Sequence, residues 1–185
     1  PAEITDRNGN KTTFSYDEAG NVVRICYPAI AGVIPEESFV YNARNQLIRH
    51  TDIRGTVTVH TYDINGLPAT TKVGAKNAVI YSYQGGLLKS KTDALGNVTV
   101  FTHNAIGLIE SKTDVNNQVT TYTYNASGQL LSTTDPNGKT VVTVYDENYQ
   151  KVSVTDANGN KTEYSYNGNL KNDKVTLPDG HTVCY

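Results

Sequence analysis

Apolar and polar positions alternate with a period of two along Thr12-Thr13-Phe14-Ser15-Tyr16, where large rings take every second place. The same phase returns at Thr58–Tyr62, Thr99–His103, Thr120–Tyr124 and Thr162–Tyr166. Rings two residues apart share one face of a strand, whereas a helix would carry them on opposite sides. Each run therefore predicts a strand with one ring-rich face and one Ser/Thr/Val face. Behind each comes a turn signal, as in Asp17-Glu18-Ala19-Gly20, Asp63-Ile64-Asn65-Gly66 and Asn125-Ala126-Ser127-Gly128. The leading Asp or Asn can bond backbone two residues on, and the closing Gly accepts positive φ. A shorter apolar run then returns, at Asn21–Ile25, Gln46–Arg49, Leu108–Ser111 and Gln129–Ser132. A second turn leads onward, at Asp6–Asn10, Asp52–Gly55, Asp93–Asn97, Asp135–Gly138 and Asp156–Asn160.

This unit recurs. Asp93, Asp114, Asp135 and Asp156 stand 21 residues apart, and Tyr124, Tyr145 and Tyr166 keep the same step, as do Tyr41, Tyr62 and Tyr83. Such a period marks a repeat architecture. Two strands and two turns per unit leave no room for a helix. The expected fold is all-β: antiparallel β-hairpin repeats of about 21 residues in a curved or spiralling continuous sheet of roughly sixteen strands. The spacing breaks at Cys26–Glu37, where four extra residues and Pro28, Gly32 and Pro35 predict an irregular loop. It contracts near Gly85-Gly86, and Tyr149 stands where the turn glycine belongs. The expected organisation is a single array over 1–185 of about eight repeats, truncated at both ends, with the irregular loop at 26–37.

Composition adjusts this picture little. Apolar residues make up 37%, and Thr, Asn, Ser and Gly fill the deficit rather than charge. A net charge of −2 gives no electrostatic case for nucleic acid. No apolar run is long enough to span a membrane as a helix. Cys26 and Cys184 are too far apart in sequence for a zinc or redox motif and read as two unpaired thiols.

The motifs Tyr16-Asp17-Glu18-Ala19-Gly20-Asn21-Val22, Tyr62-Asp63-Ile64-Asn65-Gly66-Leu67 and Tyr41-Asn42 through Leu47 resemble the YD repeat of the Rhs family. Thr155-Asp156-Ala157-Asn158-Gly159-Asn160-Lys161-Thr162 is similar to that family's second signature. The resemblance covers the chain apart from the Pro28–Pro35 loop. It implies a section of a hollow β-shell from a large bacterial protein, secreted or delivered to the cell surface. In polymorphic toxins and insecticidal toxin complexes such shells enclose a C-terminal toxin, and teneurin-type adhesion proteins carry a similar one. The implied partners are the remainder of the shell and an enclosed toxin segment. The family's releasing protease uses an Asp-Pro motif; Asp135-Pro136 sits at an ordinary turn phase, so no catalysis is carried onto it.

Read as chemistry, the candidates are structural. Asp6, Gly9, Asp17, Gly20, Asp52, Asp63, Gly66, Asp93, Gly96, Asp114, Gly128, Asp135, Gly138, Asp156 and Gly159 are expected to set turns. The Asp/Asn clusters lack the distal Glu and flanking helices of an EF-hand. His50, His60, His103 and His181 show no metal spacing, and His60 and His103 fall in ring columns. No Ser/His/Asp or Cys/His set stands apart from the repeat. Neither an active site nor a cofactor is expected. Phe14, Tyr16, Tyr41, Tyr62, Tyr81, Tyr83, Phe101, Tyr122, Tyr124, Tyr145, Tyr164 and Tyr166 are expected on the ring face, stacked across strands. The alternative is an aromatic platform for a glycan or surface protein, which makes the chain an adhesion module. Terminal strands leave backbone groups open, so edge-to-edge self-association is expected.

Overall fold

In the computed structural model, residues 2–168 and 171–185 are described. The chain divides into two units, Pro1–Asn97 and Val98–Tyr185. The first holds β1 (Ala2–Thr5), β2 (Lys11–Tyr16), β3 (Val22–Cys26), β4 (Glu36–Tyr41), β5 (Leu47–Thr51), β6 (Val57–Tyr62), β7 (Pro68–Val73), β8 (Val79–Gln84) and β9 (Leu87–Thr92). The second holds β10 (Val98–His103), β11 (Ile109–Thr113), β12 (Val119–Tyr124), β13 (Leu130–Thr134), β14 (Thr140–Tyr145), β15 (Lys151–Thr155), β16 (Lys161–Tyr166), β17 (Asn172–Thr176) and β18 (Thr182–Cys184). Within each unit every strand pairs antiparallel with the next, so each is a nine-stranded meander. The all-β, antiparallel hairpin expectation holds. The strands number eighteen among the described residues rather than roughly sixteen, and the returning strands run one or two residues beyond their apolar cores.

One device recurs in every ring-strand hairpin. The register skips a single residue of the returning strand: Val23, Ile48, Ala69, Lys89, Glu110, Leu131, Val152 and Asp173. Each skip lies opposite the last two residues of the ring strand, except on β8, where it lies opposite Ser82 and Tyr83 and Gln84 pairs beyond it. A bulge of this kind sharpens local twist and leaves one residue outside the ladder, which is why the returning strands look irregular in sequence.

The turns follow from the same local chemistry. Between β2 and β3, Gly20 donates its N–H to the Asp17 carbonyl and takes φ +85°. This is a type I turn closed by a left-handed residue, the three-residue hairpin solution. Asn45, Asn117 and Tyr149 occupy the same place at φ +58°, +59° and +62°. Asn enters this region readily; tyrosine does not.

Neither unit has a core. Only Ser153 and Val175 are buried among the described residues. The accessible surface is 12447 Å², against about 8,700 Å² for a compact monomer of this mass. Half-burial of one face and exposure of the other alternate along β12, where Thr120, Tyr122 and Tyr124 are covered more than Val119, Thr121 and Thr123.

Candidate functional site

The expected turn aspartates all bond backbone locally. Oδ1 of Asp6, Asp17, Asp52, Asp63, Asp93, Asp114, Asp135 and Asp156 accepts the N–H four residues on, at 2.8–2.9 Å. Where that residue is Asn, its side-chain amide can add a second bond, as Asn10 does to Asp6 at 2.8 Å and Asn160 to Asp156 at 2.8 Å. The carboxyls of Asp6, Asp17, Asp93 and Asp156 are held below their ordinary value chiefly by these asparagine amides. That of Asp52 is lowered chiefly by the Thr56 N–H. Gly9, Gly20, Gly66, Gly96, Gly128, Gly138 and Gly159 sit at φ between +80° and +89°. These residues lie one turn apart along the rims, so the fold does not gather them into one site.

Among the described residues the rings expected on this face do not stack on one another. A ring strand pairs with a returning strand, so Phe14 faces Ile25, Phe101 faces Lys112, Tyr122 faces Thr133 and Tyr164 faces Val175. The next ring strand lies two strands away, about 9.6 Å. Among the described residues the one ring stack is Phe39 on His50, centroids 4.7 Å apart and 6° from parallel. That pair arises because β5 puts a ring opposite Phe39. The expectation of stacking across strands therefore gives way to another arrangement. The hydroxyls of Tyr41, Tyr62, Tyr124 and Tyr166 donate to the carbonyls of Val22, Leu47, Ile109 and Lys151, at 2.8–3.1 Å. Each acceptor immediately precedes the bulged residue of the preceding hairpin. The tyrosine thus ties one repeat to the irregular backbone of the last.

A denser cluster lies beside the 26–37 irregularity. Glu37 on β4 accepts from the Tyr27 hydroxyl at 2.6 Å, and its other oxygen lies 2.6 Å from His50 Nε2 on β5. Phe39 packs flat against the same imidazole. The Glu37 carboxyl is held below its ordinary range by Tyr27 first and His50 second, and the Tyr27 hydroxyl is pushed up chiefly by Glu37. Arg24 on β3 bonds Glu36 through Nε at 3.0 Å and also through a terminal guanidinium nitrogen. These contacts fasten an excursion that is itself a tight hairpin. Ile30 and Val33 exchange backbone bonds of 2.8 and 3.0 Å, around Ala31 at φ +50° and Gly32 at φ +81°. At its base Tyr27 N–H donates to the Pro35 carbonyl at 2.9 Å.

Tyr27, Glu37 and Phe39 escaped the sequence reading, and His50 entered it only as a histidine without metal spacing. Phe39-Val40-Tyr41 has the ring spacing of Phe14-Ser15-Tyr16, and counting back across the Asn42–Asn45 turn places His50 opposite Phe39. Glu37 carries no such signal. Among the described residues no group of three or more His, Cys, Asp or Glu side chains could hold a metal ion, and none of the helices needed to cross a membrane exists. Cys26 and Cys184 are both free thiols.

The RHS repeat family matches residues 1–29, 41–78 and 103–140, more than half of the chain. The chain belongs to the RHS repeat family. The gap from 30 to 40 holds the hairpin just described. A curated relative, the double-stranded DNA deaminase toxin A of Burkholderia cenocepacia (strain H111), is 36% identical over 89 residues. That match takes in 48% of this chain and 6% of the toxin. The structure of the Photorhabdus luminescens Tc holotoxin pore superposes with a TM-score of 0.76 at 14% identity, over 95% of this chain and 12% of that one. The crystal structure of TcdB2-TccC3-TEV gives 0.75 at 14% identity, over 96% and 11%. These likenesses show the fold. The RHS repeats here span a small fraction of each of these proteins.

Proposed function

We propose that this RHS-repeat stretch is a non-catalytic wall section of a β-shell that encloses a toxin or effector segment. Its partners are then the rest of the shell and the enclosed polypeptide, in a bacterial protein that is secreted or delivered to the cell surface. The observation that carries this is the coreless single layer: half-covered rings along one face need something to contact, and an enclosed chain supplies it. The relatives named as toxins support the same reading. So does the fate of the aspartates, which are engaged in turns. Deaminase activity belongs to the relative, and no catalytic role is proposed for this stretch.

The test places a cysteine-linked fluorophore at Tyr122 on the ring face or at Thr121 on the opposite face of the full-length protein. Deleting the cargo segment is expected to change the Tyr122 signal and leave Thr121 unmoved; equal responses at both positions would overturn enclosure. A second reading, adhesion through the ring face, draws on Lys91 Nζ, which stands 5.9 Å from the Tyr81 ring centroid and leaves that ring partly open. Saturable binding of the chain to a glycan array, lost in Tyr81→Ser, would favour it. Edge pairing through β1 or β18 belongs to the shell reading and is measured by sedimentation across a concentration series.

A further inference from the structure

Consecutive hairpins meet at a joint, where a returning strand pairs with the next ring strand, and one joint within Pro1–Asn97 differs from the others. β7 and β8 stay in register only at Thr70–Ile80 and Thr71–Val79. The joints β3–β4 and β5–β6 each hold three such pairs, and β1–β2 holds four. The hairpins on either side of the short joint are the long ones. β6–β7 and β8–β9 hold five pairs each, against four in β2–β3 and β4–β5.

The ties that reinforce a joint are also missing there. β5–β6 is bridged by the Tyr62 hydroxyl on the Leu47 carbonyl, by Arg44 Nη1 on the Ile64 carbonyl and by Gln46 Nε2 on the Gly66 carbonyl, each at 2.8 Å. Tyr83 stands where Tyr62 does, yet among the described residues it makes no such bond to β7. The side chains of β7 instead turn back to β6: Thr70 meets Thr61 at 2.7 Å and Thr71 meets His60 at 3.0 Å.

The connection itself is shared between the two hairpins. Gly74 takes the place that Asp52 has in the β5–β6 turn, and it has no side chain with which to cap. Asp52 N–H crosses its turn to the Thr56 carbonyl at 3.0 Å, whereas Gly74 N–H goes to the Val57 carbonyl on β6 at 2.8 Å. Three residues on, Asn77 Nδ2 donates to the Ala94 carbonyl in the turn after β9, at 3.1 Å. One end of the connection is thus fastened to the β6 side and the other to the β9 side. Between them Ala75 and Lys76 are exposed, and Lys76 N–H reaches the Val73 carbonyl at 3.1 Å.

We propose that the β7–β8 joint is a seam at which this array opens: the β6–β7 and β8–β9 hairpins part as intact bodies, hinged between Gly74 and Asn77. The bonds lost are those of the two-pair register, while those that hold each hairpin together are kept, so the step is local opening rather than unfolding. A few connecting residues suffice to absorb the change in φ and ψ. Use of the seam as a lateral opening for an enclosed segment rests on the wall reading above; the seam itself does not.

The test is residue-resolved native-state hydrogen exchange of the full chain. The amides bonded across β7–β8, among Thr70, Thr71, Val79 and Ile80, are expected to exchange about tenfold faster than those bonded across β5–β6. Amides bonded within β6–β7 and β8–β9 should stay protected through these openings. A Thr71→Cys/Val79→Cys variant, made on a Cys26→Ser/Cys184→Ser background, allows the joint to be bridged, since opposed residues on adjacent strands stand about 4.5–5.5 Å apart. Oxidation is expected to slow exchange across the joint to the β5–β6 rate, and reduction to restore it. In the other direction, Tyr62→Phe should speed exchange across β5–β6 about fivefold and leave β7–β8 as it was. Equal exchange across the two joints, loss of protection inside either hairpin together with the joint, or no slowing on oxidation would each overturn the seam. The labels at Tyr122 and Thr121 read enclosure separately, so the wall reading and the seam can fail independently.

Discussion

The turn between β13 and β14 and the excursion between β3 and β4 close hairpins on equivalent connections in two different ways. Asp135 does it alone. Its Oδ1 accepts the N–H groups of Asn137 and Lys139 at 2.9 and 2.8 Å, and Gly138 completes the reversal at φ +80°. Five consecutive residues hold everything required. The excursion instead borrows partners from three segments: Arg24 on β3, Glu36 and Glu37 on β4, and His50 on β5. The regular turn is self-contained and can be repeated indefinitely. The irregular one needs a particular neighbourhood, which frees its tip to carry side chains with no structural duty.

That contrast is sharpest where the two share a conformation. Gly138→Val forces a β-branched residue to φ +80° and is expected to destabilise its unit by about 2 kcal/mol, read as a lower urea midpoint. Gly32→Val meets φ +81° but is expected to loosen only the hairpin tip, seen as faster amide exchange at Ile30 and Val33 with the midpoint little changed. Equal midpoint losses would break the comparison.

Next in size are the tyrosine ties. Tyr124→Phe removes the 2.8 Å bond to the Ile109 carbonyl and is expected to cost about 1 kcal/mol. Tyr83→Phe is expected to cost almost nothing, because its hydroxyl bonds no protein group among the described residues. Tyr149→Gly should run the other way. It relieves a φ of +62° while keeping the carbonyl that Gln129 Nε2 reaches at 2.8 Å, for a gain of about 1 kcal/mol in chemical denaturation.

The smallest expected effect is on pH dependence. The carboxyls of Asp6, Asp17, Asp52, Asp93 and Asp156 are lowered in the folded chain from an ordinary 3.8, and Glu37 from 4.5. A depressed folded value means that the stabilisation is complete above the unfolded value and is lost as pH falls through the folded one. Stability should therefore be level above about pH 5 and decline below about pH 4. Glu37→Gln should flatten the acid dependence of amide exchange at Tyr27 without altering that at Lys139. A parallel change at both sites would show that the two closures are not independent.

The sequence reading reached the strands and turns because their determinants are local. The alternation in Thr120–Tyr124 and the Asp-x-x-Gly offsets each act within a few residues. It missed what depends on pairing across strands. The residue that faces Tyr122 is Thr133, eleven positions away and displaced by a bulge at Leu131, so ring-on-ring contact looked available where a returning strand intervenes. The hydroxyl ties were hidden for the same reason, since they reach carbonyls exposed by bulges that leave no mark in composition. Ala31 is a further case. Ala-Gly is not a recognised signal for a left-handed pair, yet the excursion holds it there with bonds between Ile30 and Val33.

A sheet with no interior has a thermal consequence. The heat-capacity increment of unfolding grows with the apolar area newly wetted and is offset by the polar area. Here Val175 is the only buried apolar side chain among the described residues. The increment per residue should fall below the usual ~12–15 cal/mol/K, giving a broad, shallow dependence of stability on temperature. Warming would then weaken the array gradually, and cooling would take almost nothing from it.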